Sequence, residues 1–296
     1  MKNLSDYNIG NTSLYYASKY SSSCKIFLKM EMQNFLGSIK SRTAFFILKD
    51  LYDSKKINKE TTIIESTSGN LGISLSFFAT EFNVRFLCLI DPTIRPSKLE
   101  KLKKLNTEII EVKKNGTDYR SSRIMLANKL GSLKNHIWVN QYKNLSNVKA
   151  HYKTTGPEIW EQTKGNIDYL ISAVGSGGTI SGIALYLKQK SKKIKIIGVE
   201  PFGSCIFGGF CGEYINAGAG MAEPSDIIQS YLYLIDDIYK VRDIDAIYEC
   251  NDFYNKEGVV VGHTSGMCLF AAKIIQQKSK DARILVIASD NEIINI

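Results

Sequence analysis

The sequence predicts an α/β fold, with parallel-rich sheets flanked by helices. Two observations carry this: short apolar runs without polar alternation, as strands buried on both faces require, and amphipathic stretches of helical length between them. A helical stretch over 41–54 comes first, then the run Thr62-Ile-Ile-Glu65, a helix over 71–82 and the run Arg85-Phe-Leu-Cys-Leu-Ile90. Glu108-Ile-Ile-Glu111 precedes a helix over 118–131, and Tyr169-Leu-Ile-Ser172 precedes one over 179–190. Ile194-Lys-Ile-Ile-Gly-Val199, a helix over 265–279 and Ile284-Leu-Val-Ile287 close the series. Such alternation reads as βαβ units, whose right-handed crossovers put the strand carboxyl ends, and therefore a ligand, on one side. The exception is the irregular stretch 201–224, with glycines at 203, 208, 209, 212, 218 and 220. A loop of that length inside a compact domain is usually functional.

Bulk properties narrow the class. The 296 residues suffice for one large domain or two lobes, and 44% hydrophobic with 23% charged residues is ordinary for a globular protein. No run reaches the roughly 20 apolar residues of a membrane span, and Met1 to Ser13 lacks the apolar segment of a secretory signal, so a cytoplasmic location without membrane partners is expected. The net charge of +9 raises the question of nucleic acid. Its clusters, Lys98 to Lys104 and Lys188 to Lys195, lie at helix ends or before a strand without interleaved aromatic platforms. They are read as solvated faces, and no nucleic-acid partner is expected. The six cysteines form no C-x-x-C pair and the three histidines are far apart, so neither a metal nor a disulfide framework is expected. Cys88 and Cys268, inside apolar runs, read as core residues.

Three segments carry chemistry. Glu65-Ser-Thr-Ser-Gly-Asn-Leu-Gly72 follows a strand and opens a helix, where free backbone N–H groups and the hydroxyls of Ser66, Thr67 and Ser68 suit an anion. Ala173-Val-Gly-Ser-Gly-Gly-Thr-Ile-Ser-Gly182 occupies a second strand-to-helix junction. Gly175, Gly177 and Gly178 let the backbone wrap a phosphate while Ser176 and Thr179 add hydroxyls, a cup that fits pyridoxal phosphate. In Asn34-Phe-Leu-Gly-Ser-Ile-Lys-Ser-Arg42, Lys40 stands at a helix start, the end that disfavours a cation. That setting lowers a lysine's pKa and favours its use as an amine nucleophile.

Together these segments resemble the β-family, or fold-type-II, pyridoxal-phosphate enzymes, the tryptophan synthase β-like group that includes cysteine synthase and cystathionine β-synthase. The resemblance runs from about residue 8 to 290 and appears in order. Ile9-Gly-Asn-Thr-Ser-Leu14 is similar to I-G-N-T-P-L with Ser13 for proline. Asn34 to Arg42 resembles N-P-x-G-S-x-K-x-R with Phe35 for proline. Thr67-Ser-Gly-Asn-Leu-Gly72 matches T-S-G-N-x-G, and Gly175-Ser-Gly-Gly-Thr179 matches the phosphate loop. Glu257-Gly and Gly262-His-Thr-Ser-Gly266 are similar to the closing E-G and G-x-S-x-G.

The resemblance implies a two-lobed fold, with a smaller substrate-loop domain over 36–145 and a larger phosphate-binding domain from 1–35 and 146–296. It implies pyridoxal 5'-phosphate as cofactor, linked to Lys40, which also shuttles the Cα proton. Asn70 is expected on the cofactor's phenolic oxygen, Gly175 to Thr179 on its phosphate, and Thr264 on the pyridine nitrogen with neighbouring Ser265 as the fallback. Ser66, Thr67, Ser68 and Gln141 are expected to receive the substrate carboxylate. A hydroxyl does not hold the pyridine nitrogen protonated, so the ring is a weaker electron sink. The expected reaction is β-replacement or β-elimination through an α-aminoacrylate rather than transamination. A homodimer is usual for the family. Where relatives end in a tyrosine-bearing segment, this chain carries Ser289 to Ile296, and an incomplete cofactor floor is expected.

The substrate is left among three readings. The segment Ala217-Gly-Ala-Gly-Met-Ala-Glu-Pro-Ser-Asp226 puts Glu223 and Asp226 where relatives are mostly apolar. Pro224-Ser-Asp226 can simply start a helix, with Ser225 or Asp226 as cap or first-turn acid. Alternatively Asp226 protonates a departing thiolate and activates water, converting L-cysteine to L-serine and hydrogen sulfide; the related cysteine synthase reaction is the second reading. Details such as Trp138 to Tyr142 and Gly203 to Gly208 are instead similar to N-(2-amino-2-carboxyethyl)-L-glutamate synthase, which joins O-phosphoserine to glutamate. A non-catalytic cofactor-binding or partner-docking protein is the alternative of another class.

Overall fold

Buried strands form where the apolar runs lie. The computed structural model describes residues 3–115, 118–216 and 218–292. From the amino end come β1 (Leu14–Tyr16), β2 (Lys25–Met30), α1 (Lys40–Asp53), β3 (Thr62–Ser66), α2 (Asn70–Glu81) and β4 (Arg85–Ile90). They are followed by α3 (Pro96–Lys104), β5 (Glu108–Glu111), α4 (Tyr119–Gly131), β6 (His136–Trp138) and α5 (Leu145–Ala150). A π-helical turn (His151–Thr155) leads into α6 (Gly156–Thr163), β7 (Tyr169–Ala173), α7 (Gly178–Lys190) and β8 (Lys195–Pro201). Last come α8 (Asp226–Tyr231), β9 (Asp237–Val241), α9 (Asp243–Glu257), α10 (His263–Lys278) and β10 (Arg283–Ala288).

The chain forms two units, one from Met1–Ile39 with Val148–Ile296, the other Lys40–Asn147. The first is built on a six-stranded sheet of order β1-β2-β10-β7-β8-β9, parallel throughout except for the antiparallel β1–β2 pair. Its core joins Ile284 and Val286 of β10 to Met267, Cys268, Ala271, Ala272 and Ile275 of α10. Burying each large aliphatic side chain of this kind stabilises the unit by about 1.5–3 kcal/mol. The second unit carries a parallel sheet of order β5-β4-β3-β6, with β3 buried along its whole length.

This topology positions two loops. In the second unit β3 has its successor β4 on one side and β6 on the other. In the first, β7 likewise lies between β8 and β10. Each is a point where the strand order reverses, and there the loops leaving adjacent carboxyl ends diverge to leave a crevice. The Ser66–Gly69 loop follows β3 and the Val174–Gly177 loop follows β7.

Several elements lie outside the sequence expectation. The strands β1 and β6 are three residues long, too short for a period to register. The edge strand β9, Asp-Ile-Tyr-Lys-Val, mixes polar with apolar residues because one of its edges faces no neighbouring strand among the described residues. Cys205 and Cys211 correct the cysteine reading: they are disulfide-bonded, with Cα atoms 5.5 Å apart. Gly208 and Gly209, at φ 80° and 87°, fold the intervening chain back on itself and bring the pair together, which spacing alone does not signal. Cys88 and Cys268 are fully buried, as core residues. Among the described residues no helix is long and apolar enough to cross a membrane.

Candidate active site

The first unit builds a cradle around the start of α7. Gly177, its N-cap, has φ 87°, and a Cβ there would lie 2.6 Å from Cδ1 of Ile228 on α8. Only glycine closes this turn without displacing α8. Ser176 is buried, and its carbonyl oxygen accepts a 2.8 Å hydrogen bond from Ser225 Oγ. The same hydroxyl caps α8 by accepting from the Ile228 N–H at 3.1 Å. Asp226, the next residue, is the exposed first residue of α8, and Glu223 is exposed as well. Thr179 lies in the first turn of α7, where its Oγ1 is 3.3 Å from Nε2 of the buried His151. The other ring nitrogen of His151 is 3.0 Å from Thr155 Oγ1, so both ends of the imidazole are engaged.

Around Gly218 the cradle continues. Thr264, buried in the first turn of α10, donates from Oγ1 to Asn216 Oδ1 at 3.4 Å, and that oxygen also accepts the Gly218 N–H at 3.0 Å. A Cβ on Gly218 would stand 2.5 Å from Thr264 Oγ1, and one on Gly175 would stand 3.5 Å from the Gly218 carbonyl oxygen. Gly218 therefore sits between the Gly175–Gly177 loop and Thr264. Two buried polar atoms here have no partner among the described residues: Asn216 Nδ2 and Ser265 Oγ. A buried donor left unmade costs about 1–3 kcal/mol, which argues for a polar group that completes them. Free first-turn amides of a thirteen-residue helix, the hydroxyls of Ser176 and Thr179, and this second polar cluster fit a phosphate-bearing heteroaromatic ring. The residues present fit pyridoxal phosphate.

In the second unit, Lys40 is the half-buried first residue of α1, and Asn70 opens α2 behind its cap Gly69. Thr67 holds the turn between β3 and α2: its Oγ1 accepts the Gly69 N–H at 3.3 Å and its own N–H donates to Leu89 O at 3.1 Å. Ser68 is half-buried, and the buried Ser66 Oγ has no partner among the described residues. Gln141 is buried too, and its carbonyl oxygen accepts from Asn147 Nδ2 at 2.9 Å. Asn147 Oδ1 accepts in turn from Thr43 Oγ1, at 3.0 Å, on the helix that begins with Lys40. These bonds tie Gln141 to α1.

Three residues of the site carry no signal in the sequence. Glu65 is fully buried, its Oε1 3.0 Å from the Ser66 N–H and its Oε2 3.2 Å from the Gln141 N–H. Burial pushes its carboxyl up to about 8, only partly offset by the hydrogen bonds from Gln141 and Ser66. Lys98, expected on a solvated face, is only 6% exposed, and its Nζ lies 4.0 Å from where a Gly69 Cβ would stand. The other lysines of that run, Lys101, Lys103 and Lys104, are exposed. The third is His151. It follows an Asn-Val-Lys-Ala sequence with no motif of its own, and only the approach of the π-helical turn to α7 reveals it.

The fold and these loops define a class: enzymes that use pyridoxal phosphate. The chain belongs to the pyridoxal-phosphate dependent enzyme family, whose model matches residues 6–290. Among curated relatives, cysteine synthase B of Campylobacter jejuni is 33% identical over 287 residues, covering 95% of this chain and 93% of that protein. The O-acetylserine dependent cystathionine beta-synthase of Bacillus subtilis is 34% identical over 267 residues, covering 89% and 86%. Among solved structures, a hydrogen sulfide-producing enzyme from Fusobacterium nucleatum superposes with a TM-score of 0.90 at 29% identity, covering 98% of both chains. The protein is a pyridoxal-phosphate dependent enzyme of the cysteine synthase family.

Proposed function

We propose that the protein carries out β-replacement in sulfur amino-acid metabolism, converting L-cysteine and water to L-serine and hydrogen sulfide. One observation carries the β-chemistry: the group at the start of α10 is the Thr264 hydroxyl, partnered by the neutral amide of Asn216 rather than by a carboxylate. Pyridoxal phosphate, when bound, supplies the sink for the electron pair left at Cα, and a neutral ring contact favours expulsion of a β-substituent over amino transfer.

The protein's own groups do the rest. Lys40 Nζ anchors the cofactor, takes the Cα proton and returns it at the end. The hydroxyls of Ser66, Thr67 and Ser68, with Gln141, hold the substrate carboxylate, and Asn70 would bond the ring oxygen of the cofactor. His151 aims the Thr179 hydroxyl at the phosphate. In this reading Asp226 gives a proton to the departing sulfur and takes one from the water whose oxygen bonds to Cβ. The C–S bond breaks, the C–O bond forms, and hydrogen sulfide leaves. The hydrogen sulfide-producing and cysteine synthase relatives support sulfur at the β-carbon.

A second reading has one observation behind it. The buried ammonium of Lys98 beside Gly69 suits a substrate with a further anionic group, such as O-phosphoserine. Purified holoenzyme is mixed with L-cysteine alone, with O-acetylserine and sulfide, or with O-phosphoserine and glutamate. The proposal expects equal amounts of sulfide and serine from L-cysteine alone, and a slower yield of both from Asp226→Asn. Product only from one of the other mixtures refutes it.

A further inference from the structure

We infer that Glu65 is the positioning residue that joins the two arms of the substrate-carboxylate clamp, and that its neutral form is the one that admits the substrate. The inference rests on the reading that the Ser66–Ser68 loop and Gln141 receive the α-carboxylate.

Glu65 lies on β3 immediately before the loop. One of its carboxyl oxygens takes the Ser66 N–H while the other takes that of Gln141, 76 residues further along the chain. The loop hydroxyls and Gln141 meet one anion only if Ser66 and Gln141 keep their places, and Glu65 bonds both.

Glu65 is wholly buried, and that burial outweighs the hydrogen bonds from Ser66 and Gln141 that favour its carboxylate. Cys88, its register partner on β4, is a thiol pushed up to about 12 by burial, so it is neutral. Arg123 of α4 is committed to Asp91 at 2.9 Å. On β6 the nearest ionisable side chain in register is His136, opposite Thr62 at the far end of β3, and on α2 it is the exposed Glu81 at the opposite end of that helix. Burial therefore keeps the carboxyl protonated up to about pH 8. A neutral carboxyl beneath the loop sets no negative charge against the substrate's anion. An ionised one would repel it across a few ångströms of low-dielectric interior.

The consequence is a fall in amino-acid affinity as pH rises through about 8, on the alkaline side of neutrality. If only the neutral form admits the carboxylate, the loss is about tenfold one unit above that point, because apparent affinity scales with the competent fraction.

The test uses holoenzyme and L-alanine, which has the α-carboxylate but no leaving group, titrated through the change in the cofactor's visible absorbance. Wild type, Glu65→Gln and Glu65→Ala are compared at pH 7 and pH 9, with thermal unfolding as the check on folding. Alanine's own amine titrates identically in all three, so ratios between proteins isolate Glu65. Glu65→Gln should bind within about fivefold of wild type at pH 7, for one hydrogen bond lost. It should gain about tenfold relative to wild type at pH 9. Glu65→Ala should bind more than about tenfold more weakly at pH 7, with both arms released. If Glu65→Ala does not fold, the pH ratio for Glu65→Gln decides alone. The inference is overturned if that ratio does not change with pH, or if Glu65→Ala binds as wild type does. Failure of wild type to bind alanine at all removes the clamp. Normal alanine titrations with no turnover of L-cysteine count instead against the proposed cysteine reaction.

Discussion

His151 Nε2 lies 3.3 Å from Thr179 Oγ1, while Nδ1 of the same ring lies 3.0 Å from Thr155 Oγ1. A buried imidazole with a hydroxyl at each end has its orientation fixed, and it fixes the rotamer of Thr179 in return. The Thr179 hydroxyl is therefore set before a ligand arrives, and in the proposed function, where it meets the phosphate, that removes part of the ordering cost of binding.

His151→Ala should weaken pyridoxal phosphate binding about fivefold, the worth of one hydrogen bond of about 1 kcal/mol. Titration of the apo-protein with the cofactor, followed by fluorescence, checks this. An unchanged affinity would mean that Thr179 holds its rotamer unaided.

Gly177→Ala should destabilise the protein by about 1–3 kcal/mol, because it combines a left-handed φ with a Cβ forced into Ile228. Urea denaturation of the single variant and of Gly177→Ala with Ile228→Ala separates the two causes. The double variant should recover the steric share relative to Ile228→Ala alone and keep the backbone share.

Glu65 should also mark the pH dependence of folding. Its carboxyl ionises near the ordinary 4.5 when the chain is unfolded and near 8 when folded, so the unfolded state loses its proton first. The stability Glu65 contributes is fully present below pH 4.5 and is lost as pH rises through 8. The Tm of Glu65→Gln minus that of wild type should therefore increase from about pH 5 to about pH 8 and level off above it. Scanning calorimetry without substrate measures this independently of catalysis.

Much of the fold was legible in the sequence where burial on both faces left an uninterrupted apolar run, as in β3, β4, β7 and β10. The loops after β3 and β7 were legible because glycine and hydroxyl residues at a strand-to-helix junction have few other uses. Of the edge strands only β5 was, since a half-exposed strand such as β9 has no continuous apolar signal and β1 and β6 are too short to show one. Lys98 looks like its solvated neighbours because a charge run does not tell which member turns inward. Glu65 reads as an ordinary strand-end residue. Its importance comes from Gln141, a partner far along the chain, and no local pattern contains that distance.

The π-helical turn that carries His151 also bears on how the cradle around α7 is encoded. The helical run from Leu145 to Thr163 is one path whose middle turn is wider than an α-turn. Each residue advances an α-helix by about 100°, so an extra residue in that turn offsets the phase of α5 from that of α6. Deleting one residue between 151 and 155 would restore an ordinary α-turn and rotate the imidazole away from α7, although the glycine and hydroxyl motifs of both loops would remain intact. Part of the cradle around α7 is thus written into the chain as a count of residues rather than as their identity. A search for conserved letters passes over it, whereas a one-residue shift in helical phase exposes it.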